Sequence, residues 1–228
     1  MLRLLYAHGF ASGPASSKGR ALDALCAARG QRLERLDLRV PDRERLRLSA
    51  MIDVVRGALG EGDRAIAIGS SLGGLTVARA AERDPRIVGV LLIAPAFRLV
   101  ERWRQRTGEA QWEAWRTRRT MDYPDHSSPD GVLRVDFGFV EDAAEVDCDD
   151  APDGADSQGG LGPRWPDVRV PTTVLHGQRD ETVDPALSRT FARGRPNVKL
   201  IELDDDHQMH ASIPRIDAEL TTLFDTLR

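Results

Sequence analysis

The sequence predicts an α/β fold, a mainly parallel sheet covered by helices on both faces. Three observations carry that prediction. Short apolar runs alternate with amphipathic stretches along most of the 228 residues, the βαβα pattern that places strands side by side under helices. The run Ile87–Ile93 is continuously apolar, as in a strand buried on both faces. A glycine-flanked turn, Gly69-Ser70-Ser71-Leu72-Gly73, joins a strand directly to a helix.

The elements follow in order. Arg3–Ala7 reads as a strand, and Gly9–Ser16 as a loop of small residues. Ser16 or Ser17 then caps a helix to about Arg29, with Ala21, Leu22, Leu25 and Cys26 at helical spacing and Gly30 closing it. Arg32–Leu38 alternates as a strand does. Arg43–Leu59 is an amphipathic helix carrying Leu46, Ala50, Val54 and Leu59. Ala65–Ile68 is a buried strand, and Gly74–Ala81 continues as a helix. Residues 96–136 break the rhythm with three tryptophans among many arginines, and are expected to form one or two helices inserted as a cap. A short helical turn is expected over Val140–Val146. Residues 149–166, rich in Asp, Gly and Pro without periodicity, read as a flexible acidic loop. The alternation resumes with a strand at Thr172–Leu175, a helix at Pro185–Arg193, a strand at Val198–Leu203 and a closing helix at Ile213–Leu227. The length fits one domain, residues 1–228, carrying that insertion.

Composition excludes several classes. A net charge of −4 argues against a general nucleic-acid binder, which needs a basic face. No apolar run approaches bilayer length, and the N-terminal apolar stretch is too short for a signal peptide, so a soluble cytoplasmic protein is expected. Cys26 and Cys148 lie in neither redox nor ligand spacing and are expected as two buried free thiols, with no metal site. Basic charge is nearly all arginine; lysine occurs only at Lys18 and Lys199. Lys18 reads as part of a capped surface helix, with contact to an anion as the alternative. No feature of the sequence fixes an oligomeric state.

The chemistry centres on Ser71. A strand, a tight turn and a helix around G-x-S-x-G form a nucleophile elbow, where only small neighbours fit and the serine hydroxyl stands exposed. A hydroxyl is a weak nucleophile at neutral pH and requires a base, usually histidine, oriented by a carboxylate. Strand ends of a parallel sheet gather such residues on one edge. Of the five histidines, His207 and His210 follow both the elbow and a later strand, and His207, in the loop after Val198–Leu203, is better placed. His8 and His176 each precede a glycine at a strand end, which suits loop geometry, and His126 falls in the insertion. Asp180 is the expected acid, with Asp184 its competitor; Asp204, Asp205 and Asp206 are too close to His207 in the chain to orient it. The backbone N–H groups of Leu72 and Phe10 are the expected oxyanion donors. Trp103, Trp112 and Trp115 either wall an acyl or aromatic pocket or pin the cap to the core; the last two share a helix face. Seven arginines between Arg98 and Arg119 read as a solvated face, or else as ligands for a substrate carboxylate or a coenzyme A phosphate.

His8-Gly9-Phe10, the Gly69–Gly73 elbow, His176-Gly177 with Asp180, and Asp206-His207 together resemble the α/β-hydrolase superfamily over nearly the whole chain. Leu5–Pro14 with Ser17-Lys18, and Gly69–Gly74, are similar to the small bacterial esterase and acyl-CoA thioesterase group. The resemblance implies an α/β-hydrolase fold with a reduced sheet of about six strands. It implies hydrolysis of a small-molecule ester or thioester through an acyl-serine, without metal or organic cofactor. An amidase or peptidase would use the same residues, and a ligand-binding module that kept the fold without catalysis is the competing reading. An imidazole base predicts ester hydrolysis that rises between roughly pH 6 and 7.5; a flat kcat/KM over that range would count against His207.

Overall fold

The computed structural model describes residues 1–125, 131–147 and 165–228. Six parallel strands form one sheet: β1 (Leu2–Ala7), β2 (Leu33–Leu36), β3 (Arg64–Ser70), β4 (Ile87–Ile93), β7 (Thr172–Gly177) and β8 (Val198–Leu203), in the order β2-β1-β3-β4-β7-β8. The strand order reverses at β1, so the chain ends of β1 and β3 lie beside each other at a switch point, where open parallel sheets form clefts. Strands β3 and β4 match the continuous apolar runs of the sequence, β2 sets Glu34 and Arg35 between two buried leucines, and β1, β3, β4 and β7 are buried along most of their length.

Alternation sorts the side chains. Leu4, Tyr6, Ile66, Ile68, Leu91 and Ile93 share a cluster with Leu22 and Cys26 of α1 (Ser17–Ala28) and with Ile216, Leu220 and Leu223 of α8 (Ile213–Leu227). Burying each such aliphatic side chain contributes about 1.5–3 kcal/mol. The opposite face of β1, β3 and β4 carries α3 (Leu72–Arg83). There the strand residues are small, Ala65, Ala67 and Gly69, and the helix comes close. A Cβ on Gly69 would stand 2.2 Å from the Gly73 carbonyl oxygen, and one on Gly73 2.2 Å from that of Ala7. Helix α1 starts as the sequence predicts: the Ser16 side chain accepts from Gly19 N–H, and Gly30 follows with φ +69°. Cys26 is a buried free thiol whose pKa burial raises; Cys148 lies outside the described residues. Helix α7 (Pro185–Ala192) packs on β7 and β8.

Two compact units make up the chain. The first comprises residues 1–38, 52–97 and 167–228 and holds this sheet. The second comprises 39–51 and 98–166, and α2 (Leu48–Gly57) passes from one into the other. Helix α2 begins five residues later than Arg43, the start its sequence suggests, because the Asp42 carboxylate accepts from Glu44 and Arg45 N–H and holds them in a turn.

The second unit contains α4 (Leu99–Thr107), α5 (Glu109–Arg118), β5 (Thr120–Pro124), β6 (Val132–Asp136) and α6 (Gly138–Asp147). The two expected helices are α4 and α5, and the turn expected at Val140–Val146 is the longer α6. The antiparallel β5–β6 hairpin is a departure from the purely helical insertion expected over 96–136. Its signal is the alternation Val132-Leu133-Arg134-Val135-Asp136, in which Leu133 and Val135 are buried. Residues 149–164 of the expected acidic loop lie outside the described residues, as does His126. Four of the insertion's arginines pair with carboxylates of the same unit, Arg98–Glu101, Arg104–Glu109, Arg116–Glu113 and Arg119–Glu141.

Gly73→Ala is expected to destabilise the fold by about 3 kcal/mol or more, because backbone rather than a flexible side chain must move. In thermal melting that is a loss of roughly 6–12 °C. Gly57→Ala, whose Cβ meets nothing within 4 Å, should be neutral or stabilising by up to about 1 kcal/mol.

Candidate active site

The elbow is fixed by main-chain hydrogen bonds. Ser71 N–H donates to Ile93 O at 2.9 Å, while Ser71 O accepts from Gly74 N–H at 2.9 Å and Ala96 N–H at 3.0 Å. The close approach of α3 to the ends of β1 and β3 leaves Ser71 at φ 54°, ψ −116°, a region costly for a residue with a Cβ. Ser71 is half-buried between Ser70 and Leu72, which are both buried. Leu72 is the first residue of α3, where backbone N–H groups have no acceptor within the helix.

Ser71 Oγ lies 3.1 Å from His207 Nε2. His207 Nδ1 lies 2.7 Å from Asp180 Oδ2. An ionised carboxylate only accepts, so Nδ1 carries the proton and Nε2 is the lone-pair nitrogen facing the hydroxyl. The structure thus brings together the predicted Ser71, Asp180 and His207 from three strand ends. The competing residues have other partners. His210 Nε2 lies 2.8 Å from Ser17 Oγ on the surface. Asp184 caps α7, accepting from Ala186 N–H at 2.8 Å. Asp204 pairs with Arg179, Asp205 accepts from Ser212, and Asp206 accepts from Gln208 N–H.

Asp180 is buried yet ionised. Burial alone would raise its carboxyl pKa, but donors from His176, His207 and Val183 outweigh that and hold it well below the usual carboxylate range. Oδ1 accepts from Thr182 and Val183 N–H, both at 2.8 Å. Oδ2 accepts from His207 and also from His176 Nε2–H at 3.0 Å. The fully buried His176 ring donates to Val183 O through the same nitrogen, and its Nδ1 accepts from Ser188 Oγ at 2.6 Å. His176, expected in a loop role, instead supports the acid; its place four residues before Asp180, at the end of a continuously buried strand, is the signal for this.

The loop after β1 is held by His8. Its Nε2 accepts from Leu38 N–H at 3.0 Å, which makes Nδ1 the protonated nitrogen, 2.9 Å from Gly9 O. Gly9 and Phe10 line a cavity of about 170 Å³ together with Ser71 and His207. Lys18 lines it too, and is buried rather than on the surface helix face expected of it.

The three tryptophans belong to the second unit. Trp112 and Trp115 are buried there, 5.7 Å apart edge to face, and each packs edge to face against Phe137. Trp115 Nε1–H donates to Val135 O at 2.9 Å, and half-buried Trp103 stacks on Tyr123. These contacts all lie within that unit.

The sequence signature described as Uncharacterised protein family (UPF0227) matches residues 3–221. The chain belongs to this family. No curated protein matches this UPF0227 chain. Among solved structures it is similar to alpha/beta hydrolase domain-containing protein 10 from mouse, at 21% identity and a TM-score of 0.75, covering 99% of this chain and 90% of that one. A putative hydrolase from Agrobacterium vitis S4 superposes with a TM-score of 0.75 at 19% identity, over 97% of this chain and 87% of the other. Est1E from Butyrivibrio proteoclasticus gives 0.68 at 18% identity, over 98% and 88%. The UPF0227 chain therefore has the α/β-hydrolase fold, with the six-stranded, wholly parallel sheet described above. Among the described residues, no helix is long and apolar enough to cross a membrane.

A carboxyl pKa depressed by folding adds stability above the unfolded value, near pH 4, and that stability is lost as pH falls toward the folded value. Asp180→Asn should therefore flatten the decline in urea midpoint below roughly pH 4 relative to the parent. An unchanged decline would mean that the carboxylate is not held in its ionised form.

Proposed function

We propose that this protein is a serine hydrolase that cleaves carboxylic esters or thioesters through an acyl-Ser71 intermediate. The observation that carries this reading is the unbroken contact from Ser71 Oγ through the His207 ring to Asp180, at 3.1 and 2.7 Å. Ser71 Oγ attacks the carbonyl carbon, and its proton passes to His207 Nε2. Asp180 keeps the ring in the tautomer that accepts at Nε2 and stabilises the imidazolium that forms. The N–H groups of Leu72 and Phe10 receive the negative charge that develops on the carbonyl oxygen. The carbon–oxygen or carbon–sulfur bond then breaks, and His207 returns its proton to the departing alcohol or thiol. Water, deprotonated by His207, attacks the acyl carbon, and release of the acid regenerates Ser71 Oγ–H.

The names of structural relatives agree with ester chemistry. One relative is Est1E with ferulic acid bound, and another is a pyrethroid hydrolase from Sphingobium faniae JZ-2.

Ser71→Ala should lower kcat on a short p-nitrophenyl ester by about 10⁶ and abolish labelling by a fluorophosphonate probe. Retention of most of the activity, or a folded parent protein that the probe does not label, refutes the assignment. Matched ester, thioester and amide substrates then rank the acyl transfers.

A further inference from the structure

Lys18 is one of two lysines in the chain, and it is buried beside Ser71 and His207 in the same cavity. An ammonium carries three N–H donors. Nζ donates to Gln208 O at 2.7 Å and, at a longer 3.4 Å, to His207 O. Both acceptors are neutral carbonyls, so a third donor and the positive charge are left for another group. Among the described residues, no carboxylate makes an ion pair with Nζ. The nearest acids have their own donors: Asp180 takes four N–H groups, Asp205 takes Asp206 N–H with the Ser212 N–H and hydroxyl, and Asp206 takes Gln208 N–H. Burial lowers the Lys18 pKa to about 8, against the pull of these acids, so the ammonium is charged at neutral pH and incompletely compensated.

The cavity wall around Lys18 is polar. Ser12, Ser16, Ser17 and Gln208 line it. At about 170 Å³ it is smaller than the ~300–1,000 Å³ typical of ligand clefts, so it takes one short group rather than a long alkyl chain. Its position relative to His207 says which part of a substrate enters it. The imidazole delivers its proton to the leaving atom, so the leaving group lies on the His207 side of Ser71, and Lys18 is bonded to the main chain of His207 itself.

We propose that Lys18 and the serine-lined wall around it form an anion subsite for the leaving group, so that the preferred substrates are esters or thioesters whose alcohol or thiol carries a carboxylate or phosphate. This rests on the hydrolytic reading of Ser71, Asp180 and His207, and it names the substrate class of that site. A bound anionic oxygen would accept the third N–H of Lys18 and supply the missing counter-charge.

The test compares acetate esters of matched phenols: 4-acetoxybenzoate, its neutral amide 4-acetoxybenzamide, and 4-acetoxyphenyl phosphate. The native protein should favour the carboxylate over the amide in kcat/KM by roughly ten- to hundredfold, the usual span for one charge-assisted hydrogen bond. Lys18→Met should bring that ratio close to one, and Lys18→Arg should restore part of it. The phosphate ester decides which anion is preferred, by ranking above or below the carboxylate. Equal rates on the charged and neutral esters in the native protein overturn the proposal whether or not the variants fold. So does a Lys18→Met variant that slows both esters equally, which would confine Lys18 to holding the His207 loop. Binding separates failure of the subsite from failure of the hydrolytic reading. Ser71→Ala protein titrated calorimetrically should bind 4-hydroxybenzoate more tightly than 4-hydroxybenzamide, and Ser71→Ala combined with Lys18→Met should lose that difference. Binding without any hydrolysis by the native protein sinks the enzymatic reading alone; hydrolysis with no binding difference sinks the subsite alone.

Discussion

The contact between the start of α3 and the ends of β1 and β3 sets the geometry on which the site depends. Two hydrogen atoms, one on Gly69 and one on Gly73, stand where a Cβ would lie 2.2 Å from a carbonyl oxygen. Because the helix can approach so closely, the chain turns from β3 into α3 through one residue, Ser71, whose φ of 54° costs about 1–3 kcal/mol. That strain persists because apolar burial on both sides of the sheet fixes the strand and the helix independently. The same turn leaves the serine half-exposed in an otherwise buried stretch and places the first N–H groups of α3 beside it.

The acid and the base are held by a different device. Gly177 ends β7 with its α-carbon against the loop that follows β8; a Cβ there would lie 2.5 Å from both Asp205 O and Asp206 O. Gln178 N–H to Leu203 O and Arg179 N–H to Asp205 O join the two loops by main-chain bonds. Main-chain bonds between the two loops thus support the Asp180–His207 contact. With four N–H donors around it, the Asp180 carboxylate has no acceptor position left for water, and its charge is available to the imidazolium without reorganisation.

Most of this was legible in the sequence because it depends on short-range pattern. The strands show as apolar or alternating runs, and the glycines of the elbow and the Ser16 cap act within a few residues of themselves. Chain order on a parallel sheet, which sends strand ends to one edge, narrows the choice to Asp180 or Asp184 and His207 or His210; within each pair the partners in space differ, with Asp184 capping α7 and His210 meeting Ser17. What escaped depends on packing across the chain. The β5–β6 hairpin is short, and its alternation is obscured by neighbouring arginines and Pro124. The start of α2 is delayed by a carboxylate that a helical-periodicity count does not register. His176 and Lys18 act through partners in other loops, and helical spacing puts Lys18 at a first turn where solvent is the default. Its burial follows from the His207 loop, 190 residues away, folding over it.

Two opposite charges thus flank His207, and their placement decides which one governs the ring. Asp180 bonds the ring directly at 2.7 Å, whereas Lys18 donates to the main-chain carbonyls of His207 and Gln208. Coulomb energy falls with distance, so the carboxylate dominates at the imidazole and the ammonium acts as a weaker opposing field. An anion seated on Lys18 would cancel that opposing field while the leaving atom receives its proton. Substrate charge would then assist two steps through one contact: binding, and formation of the imidazolium as Ser71 attacks. The dependence on a pairing partner follows from burial itself, since an ammonium at the surface would be screened by water and would impose no such preference.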